Sequence, residues 1–393
     1  GAGLPMIYRD ATNTILRLLK GFPVVTITGP RQSGKTTLAK NIFAGKQYVT
    51  LEDPDTRLRA TSDPRSFLRT ISDGAVIDEI QRCPELLSYL QGYVDADGRM
   101  GLFILTGSQQ FGLVSGITQS LAGRSGFVEL LPFSIAELRA ANALPDDLNS
   151  FLYHGGYPPL YHRAVTPHDW LSAYVSSYVE RDVRQVLAIQ DLNTFQRFVR
   201  LCAGRSGQLL NVSSLATDCG ITHTTAKAWI SVLEASYILF LLHPHHANFN
   251  KRLIKSPKMY FHDVGLMAWL LGIESAKQID THPLRGALFE TAMVSELKKT
   301  ILNHGKSDRL FFWRDSNGNE VDVIIETGDL LLPVEIKSGA TINRDFFSGL
   351  TKWHALAKER SSEPVLMYGG SDSFTHQGVR VLSWRDAAQA CCF

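Results

Sequence analysis

Two groups of residues have the types and spacing that do chemistry on phosphates. The first is Gly29-Pro30-Arg31-Gln32-Ser33-Gly34-Lys35-Thr36, a G-x-x-x-x-G-K-[ST] pattern that follows an apolar run and precedes a helical one. Glycines let backbone N–H groups close around a phosphate, and the helix start, continued by Thr37, adds positive potential. Lys35 would reach the β- and γ-oxygens of a bound nucleotide and Thr36 would ligate its Mg2+, so ATP and Mg2+ are the expected ligands. Further on, Val76-Ile77-Asp78-Glu79 ends a second strand. Asp78 would hold Mg2+ through water and Glu79 would polarise an attacking water, which favours hydrolysis over binding alone. Thr106-Gly107-Ser108 ends the next strand, where a hydroxyl would sense the γ-phosphate. Either hydroxyl suits that task, and Ser108 is carried forward as the candidate.

The second group is Asp322, inside Val321–Ile325, and Glu335-Ile336-Lys337 thirteen residues after it. Strand alternation puts Glu335 and Lys337 on one side, and a neighbouring strand offers Asp322. The arrangement resembles the PD-(D/E)XK nuclease core. That resemblance implies carboxylates of Asp322 and Glu335 holding Mg2+, Glu290 on the preceding helix completing the set, and Lys337 activating water.

A third stretch carries charge and periodicity in place of catalytic chemistry. Val212–Ala216, Gly220-Ile221-Thr222 and Thr224–Leu233 spell helix, turn, helix. Thr224 and Lys227 would open the second helix, where such motifs meet DNA. Lys251, Arg252, Lys255 and Lys258 then bring four positive charges and no acid, a candidate phosphate-contacting wing. A protein-facing or lid role is the alternative for this segment. His243, His245 and His246 lack metal-type partners at useful spacing and read as a polar loop.

These residues need elements to position them. The 393 residues exceed what one core holds, so two or three domains are expected. With 44% hydrophobic and 20% charged residues and a net charge of +2, any nucleic-acid surface must be a local patch. The five cysteines show no C-x-x-C spacing, which predicts a reducing, cytoplasmic setting without a disulfide framework. No targeting pattern or membrane-length apolar run is read. Short apolar runs at Val24–Thr28, Tyr48–Leu51, Ala75–Asp78, Leu102–Thr106 and Phe127–Leu131 alternate with helical patterns, which predicts a parallel sheet between helices. Strands are also expected at Leu310–Trp313, Glu320–Glu326 and Leu330–Ile336, after a long helix bearing Phe289, Met293, Leu297 and Ile301.

The whole pattern resembles the AAA+ ATPases, and within them a bacterial and archaeal family that joins such a module to a winged helix and a nuclease-like domain. The marks are GPRQSGKT, AVIDEIQ, the LTGSQ run ending at Gln109, LAGR at Leu121–Arg124 and GGYP at Gly155–Pro158. The fold class implied is α/β: a P-loop core at 1–133, a helical lid at 134–205, a winged helix at 206–275 and a restriction-endonuclease-like domain at 276–393. The resemblance implies that Arg124 reaches a neighbour's γ-phosphate, hence a ring, with a hexamer favoured. It also implies an adenine contact at Pro158. The expected activity is a DNA-dependent ATPase that remodels or moves DNA, including branched DNA such as Holliday junctions. A nucleotide-dependent switch that binds a protein partner and an ATP-gated, Mg2+-dependent endonuclease are the alternatives.

Overall fold

The computed structural model describes residues 6–391, apart from 109–112, 185–190, 248, 250 and 251. Strands β1 (Val24–Thr28), β2 (Gln47–Thr50), β3 (Ala75–Asp78), β4 (Phe103–Gly107) and β5 (Ser125–Glu129) form a sheet of order β2-β3-β4-β1-β5. Every neighbouring pair in it is parallel. Strands β1, β3 and β4 are buried at every position, which is why they read as continuous apolar runs instead of alternating ones. Helices Thr12–Gly21 and Lys35–Ile42 cover one face through Ile15, Leu19 and Leu38. Helices Pro54–Ser62, Pro64–Thr70 and Leu86–Asp97 cover the other through Ala60, Phe67 and Leu90. Parallel strands end on a common edge, and that edge collects Thr28, Asp78 and Gly107. β5 begins two residues before its expected start because Ser125 and Gly126 already pair with Val24 and Val25 of β1.

Beyond Leu131 the described residues are mainly helical to Ala203, with a π-helical turn at Tyr178–Val183. Helices Val212–Cys219 and His223–Ala235 follow, each started by a side-chain cap: Asn211 accepts from the Ser214 N–H and Thr222 from the Thr225 N–H. An antiparallel pair, β6 (Leu239–Leu242) and β7 (Lys258–Phe261), comes next. His245 is buried and bonds Glu326 at 2.8 Å, so the polar loop expected around it is fastened to the C-terminal sheet.

Helix Arg285–Asn303 is buried along most of its length. It backs a six-stranded sheet of β8 (Leu310–Arg314), β9 (Glu320–Thr327), β10 (Leu330–Lys337), β11 (Val365–Tyr368), β12 (Phe374–His376) and β13 (Val379–Ser383), ordered β12-β13-β11-β10-β9-β8. One continuous apolar cluster runs from Phe133 to Cys391 and takes in the helical stretch, the helix–turn–helix segment and this sheet. It passes through the expected seams near 206 and 275–284. Among the described residues, no helix is long and apolar enough to cross a membrane.

Candidate functional site

Gly29 leaves β1 at φ 154°, and a Cβ there would stand 2.0 Å from the Leu130 carbonyl oxygen, so only glycine lets the loop turn beside β5. The loop closes on itself: the Lys35 ammonium donates to the carbonyls of Gly29 at 3.0 Å and Pro30 at 2.6 Å. Burial pulls the Lys35 pKa down to about 8, opposed by the charges of Glu79 and Asp78. The Ser33 hydroxyl is buried without a hydrogen-bond partner. An orphaned hydroxyl, a glycine-framed loop and a buried ammonium together fit a nucleotide phosphate chain.

At the strand edge, Asp78 collects three hydroxyls. Thr36 donates to its Oδ1 at 3.0 Å, Thr106 donates to the same oxygen, and Tyr48 donates to Oδ2 at 2.7 Å. Thr36 and Asp78 thus stand where Mg2+ would be shared between a hydroxyl and a carboxylate. Bound there, Mg2+ would supply positive charge against the β- and γ-phosphate oxygens. Glu79 sits in the left-handed region, φ 55°, with its N–H on the Thr106 hydroxyl at 3.2 Å. Its carboxylate accepts from Gln81 and, at 3.4 Å, from Ser108. Burial raises its pKa against the pull of Lys35. The two candidate hydroxyls therefore part company: Thr106 fastens Asp78 and Glu79, while Ser108 faces the Glu79 carboxylate.

Beside the loop lies a cavity of about 460 Å³ lined by Met6, Tyr8, Gly34, Thr37, Pro158 and His162, among others. It is apolar, next to the phosphate loop and of a size for a purine. Its wall at Pro158 is braced from far along the chain. Asp263 accepts the Gly156 N–H at 2.8 Å while capping helix Val264–Leu270 through the Leu266 N–H at 2.9 Å. Gly155 turns at φ 69°, where a Cβ would meet the Asp263 carboxylate at 2.4 Å. Arg9 links the same region to the loop, with Nη1 donating to the Ser33 carbonyl and Nη2 to the Leu131 carbonyl, each at 2.6 Å, and Nε to Glu137 at 2.9 Å. Glu296 accepts the N–H groups of Ile135 and Ala136, and Lys299 donates to the Phe133 carbonyl at 3.1 Å. Burial pushes the Glu296 pKa up to about 7, against Lys299. Tyr237 of the helix–turn–helix segment shares a hydrogen bond with Thr28 at 2.9 Å and donates to Glu129 at 3.1 Å.

Two arginines hold partners of their own. Arg31 pairs with Asp182 of the π-helical turn at 2.8 Å. Arg124 grips Asp95 at 2.7 and 2.9 Å on the surface of the same chain.

In the C-terminal sheet Asp322 and Glu335 do meet. The Asp322 N–H donates to Glu335 at 3.3 Å, and Asp322 accepts the Ile336 N–H at 2.8 Å. Lys337 stands 3.9 Å from Glu335. Burial, then the Asp322 charge, raises the pKa of Glu290 to about 8 and that of Glu335 well above the usual range. The expectation that Glu290, Asp322 and Glu335 form a metal-holding triad needs correction: among the described residues, no three Asp, Glu, His or Cys side chains are grouped to hold a metal ion. Lys258 stands among these acids instead. Expected on an exposed wing, it is 4% exposed and paired with Glu320, facing Glu290 and Asp322. Its neighbours in sequence do lie outside: Thr224, Lys227, Arg252 and Lys255 are exposed. Lys251 and Gln109 lie outside the described residues.

Arg9, Tyr48, Asp182, Tyr237, Asp263, Glu296 and Lys299 were not singled out from the sequence. Only Asp263 left a trace there, as an Asp directly before a helical apolar run, the position of a cap.

An AAA domain matches residues 21–139, and two domains of unknown function, DUF8612 and DUF4143, match 145–277 and 285–386. An uncharacterized protein of Mycobacterium tuberculosis and one of Mycobacterium bovis are each 32% identical over 349 residues, covering 87% of this chain and 77% of theirs. Among solved structures, a Walker-type ATPase of Pyrococcus abyssi shares 16% identity, with 67% of this chain and 96% of that one covered and a TM-score of 0.46. A RuvB variant of Thermotoga maritima shares 19% identity over 59% and 88%, with a TM-score of 0.32. The phosphate loop, the acidic strand tip and the matched AAA domain agree on a P-loop ATPase of AAA type, and the chain belongs to one family with these mycobacterial proteins.

Proposed function

We propose that this ATPase hydrolyses ATP to drive work on DNA as an oligomer. The observation that carries the hydrolytic part is the meeting of Lys35, Thr36, Asp78 and Glu79 on one sheet edge beside a purine-sized apolar cavity. Lys35 would trade two loop carbonyls for phosphate oxygens. Glu79, held by Gln81 and Ser108, would orient water for in-line attack. Pro158 would close on the base, with its turn fixed by Asp263. A remodelling or translocating role on duplex or branched DNA, Holliday junctions included, is supported by the exposed Thr224, Lys227, Arg252 and Lys255 around a capped helix–turn–helix. Lys258 is withdrawn from that surface.

DNA binding should weaken steeply with salt, because each phosphate contact displaces counterions for a log-log slope of about −0.9. Replacing Lys227, Arg252 and Lys255 with alanine should flatten the slope by about two to three units and weaken all sequences alike. Fluorescence anisotropy on duplex and four-way junctions across a salt series, with ATPase rates taken alongside, measures both. A salt-independent signal, or none on either DNA, would transfer the role to a nucleotide switch with a protein partner.

Self-association into a ring, a hexamer in the favoured form, requires Arg124 to leave Asp95 and complete a neighbour's site. Mixing Arg124→Ala with Lys35→Ala subunits should then restore part of the activity, since each lacks a different half of a shared site. Two folded, assembling variants that never complement at any ratio would place the whole site within one chain.

A further inference from the structure

The cleft between the helix–turn–helix segment and the C-terminal sheet encloses about 800 Å³. Glu290, Glu320 and Asp322 line it, together with Arg205 and Arg314. One ammonium points into these acids. Lys258 opens strand β7, pairs with Glu320, lies 5.0 Å from the Phe312 ring centroid and faces Glu290 and Asp322. Burial lowers the Lys258 pKa, but the charges of Glu290, Glu320 and Asp322 outweigh it and the net direction is upward.

Adjacent to them, Glu335 and Lys337 extend the cluster, giving four acids against two lysines and two arginines. Among the described residues no three such side chains are grouped to hold a metal ion, and these carboxylates line the cleft around an amine. An ammonium donates hydrogen bonds and cannot be shared as a coordination centre, so it and a metal ion exclude one another. The cation-like element also comes from outside the C-terminal sheet. It is brought by β7, which pairs with β6 on one side and bridges Leu209 on the other at Lys258 itself.

We infer that Lys258 occupies the position of a divalent cation in this cleft, so that its ammonium, in place of a metal ion, answers these carboxylates. The inference rests on reading Asp322, Glu335 and Lys337 as a nuclease-like set. It makes the C-terminal cleft a site that the chain's own lysine fills.

The test uses the full chain without nucleotide, titrated with Mn2+ and followed by paramagnetic resonance and by thermal melting. Wild type should bind no Mn2+ that depends on Asp322. Lys258→Met should melt lower without metal, recover with it, and bind Mn2+ at least about tenfold tighter than wild type, because a unit charge has left the site. Adding Asp322→Asn should abolish that gain, and Lys258→Arg should behave as wild type. Lys258→Gln keeps a polar end and serves the same arms if the methionine variant does not fold. Asp322-dependent binding in wild type as tight as in Lys258→Met would overturn the stand-in of lysine for metal while leaving the nuclease-like set standing. No Asp322-dependent binding in any variant would overturn both.

Discussion

Glu79→Gln should keep nucleotide affinity while lowering hydrolysis by about 10²-fold or more, and Lys35→Ala should abolish turnover. The two substitutions remove different things. Lys35 is the buried ammonium at the loop, and its present partners are two main-chain carbonyls that a phosphate would replace. Without it, phosphate charge has no counterweight, so binding and chemistry fall together. Glu79 makes its side-chain hydrogen bonds away from the loop. Its carboxylate is oriented by Gln81 and Ser108, and its backbone is fixed by Thr106 in a conformation that non-glycine residues rarely adopt. Glutamine preserves the shape and the hydrogen bonds but cannot draw a proton from water. Steady-state phosphate release and titration with a fluorescent ATP analogue separate the two effects. Wild-type-like turnover in Glu79→Gln would move the water-orienting task to another group.

The phosphate loop and the acidic strand tip were legible because each lies within a few contiguous residues whose geometry is set by strand, turn and helix. Asp322 and Glu335 were legible for the same reason, as neighbours on paired strands. What stayed hidden is held by partners far away in sequence. Arg9 reaches Leu131 and Glu137, Asp263 reaches Gly156, and Glu296 reaches Ile135. No local pattern encodes those contacts. Lys258 shows the opposite error. Grouped by adjacency with Arg252 and Lys255, it read as one more surface charge. The chain enters β7 at that residue, and pairing with β6 carries the side chain inward to Glu320. A run of like charges is a property of the sequence, whereas a charged surface depends on where each strand begins.

Glu137→Ala should cost about 3–5 kcal/mol, because it strands a buried guanidinium. The side chain of Glu137 is fully enclosed, and it accepts from Arg9 Nε at 2.9 Å, the Asp10 N–H at 2.8 Å and the Ser134 N–H at 2.9 Å. It also closes a capping box with Ser134 on helix Ile135–Ala140. Loss of the cap alone, as in Ser134→Ala, should cost only about 1 kcal/mol. The difference between the two variants holds the ion pair together with the bonds from the Asp10 and Ser134 N–H groups. At about 2 °C per kcal/mol for a protein of this size, the melting midpoint should fall by about 6–10 °C in Glu137→Ala. Replacing both Arg9 and Glu137 with methionine removes the stranded charge and should recover most of the stability. Nucleotide affinity should not recover with it, since Arg9 also holds the Ser33 carbonyl of the phosphate loop at 2.6 Å. Differential scanning calorimetry and nucleotide titration of the same three variants give both readings. A Glu137→Ala midpoint no lower than that of Ser134→Ala would mean the pair contributes nothing beyond the cap. A double variant that regains full nucleotide affinity would show that Arg9 does not support the loop.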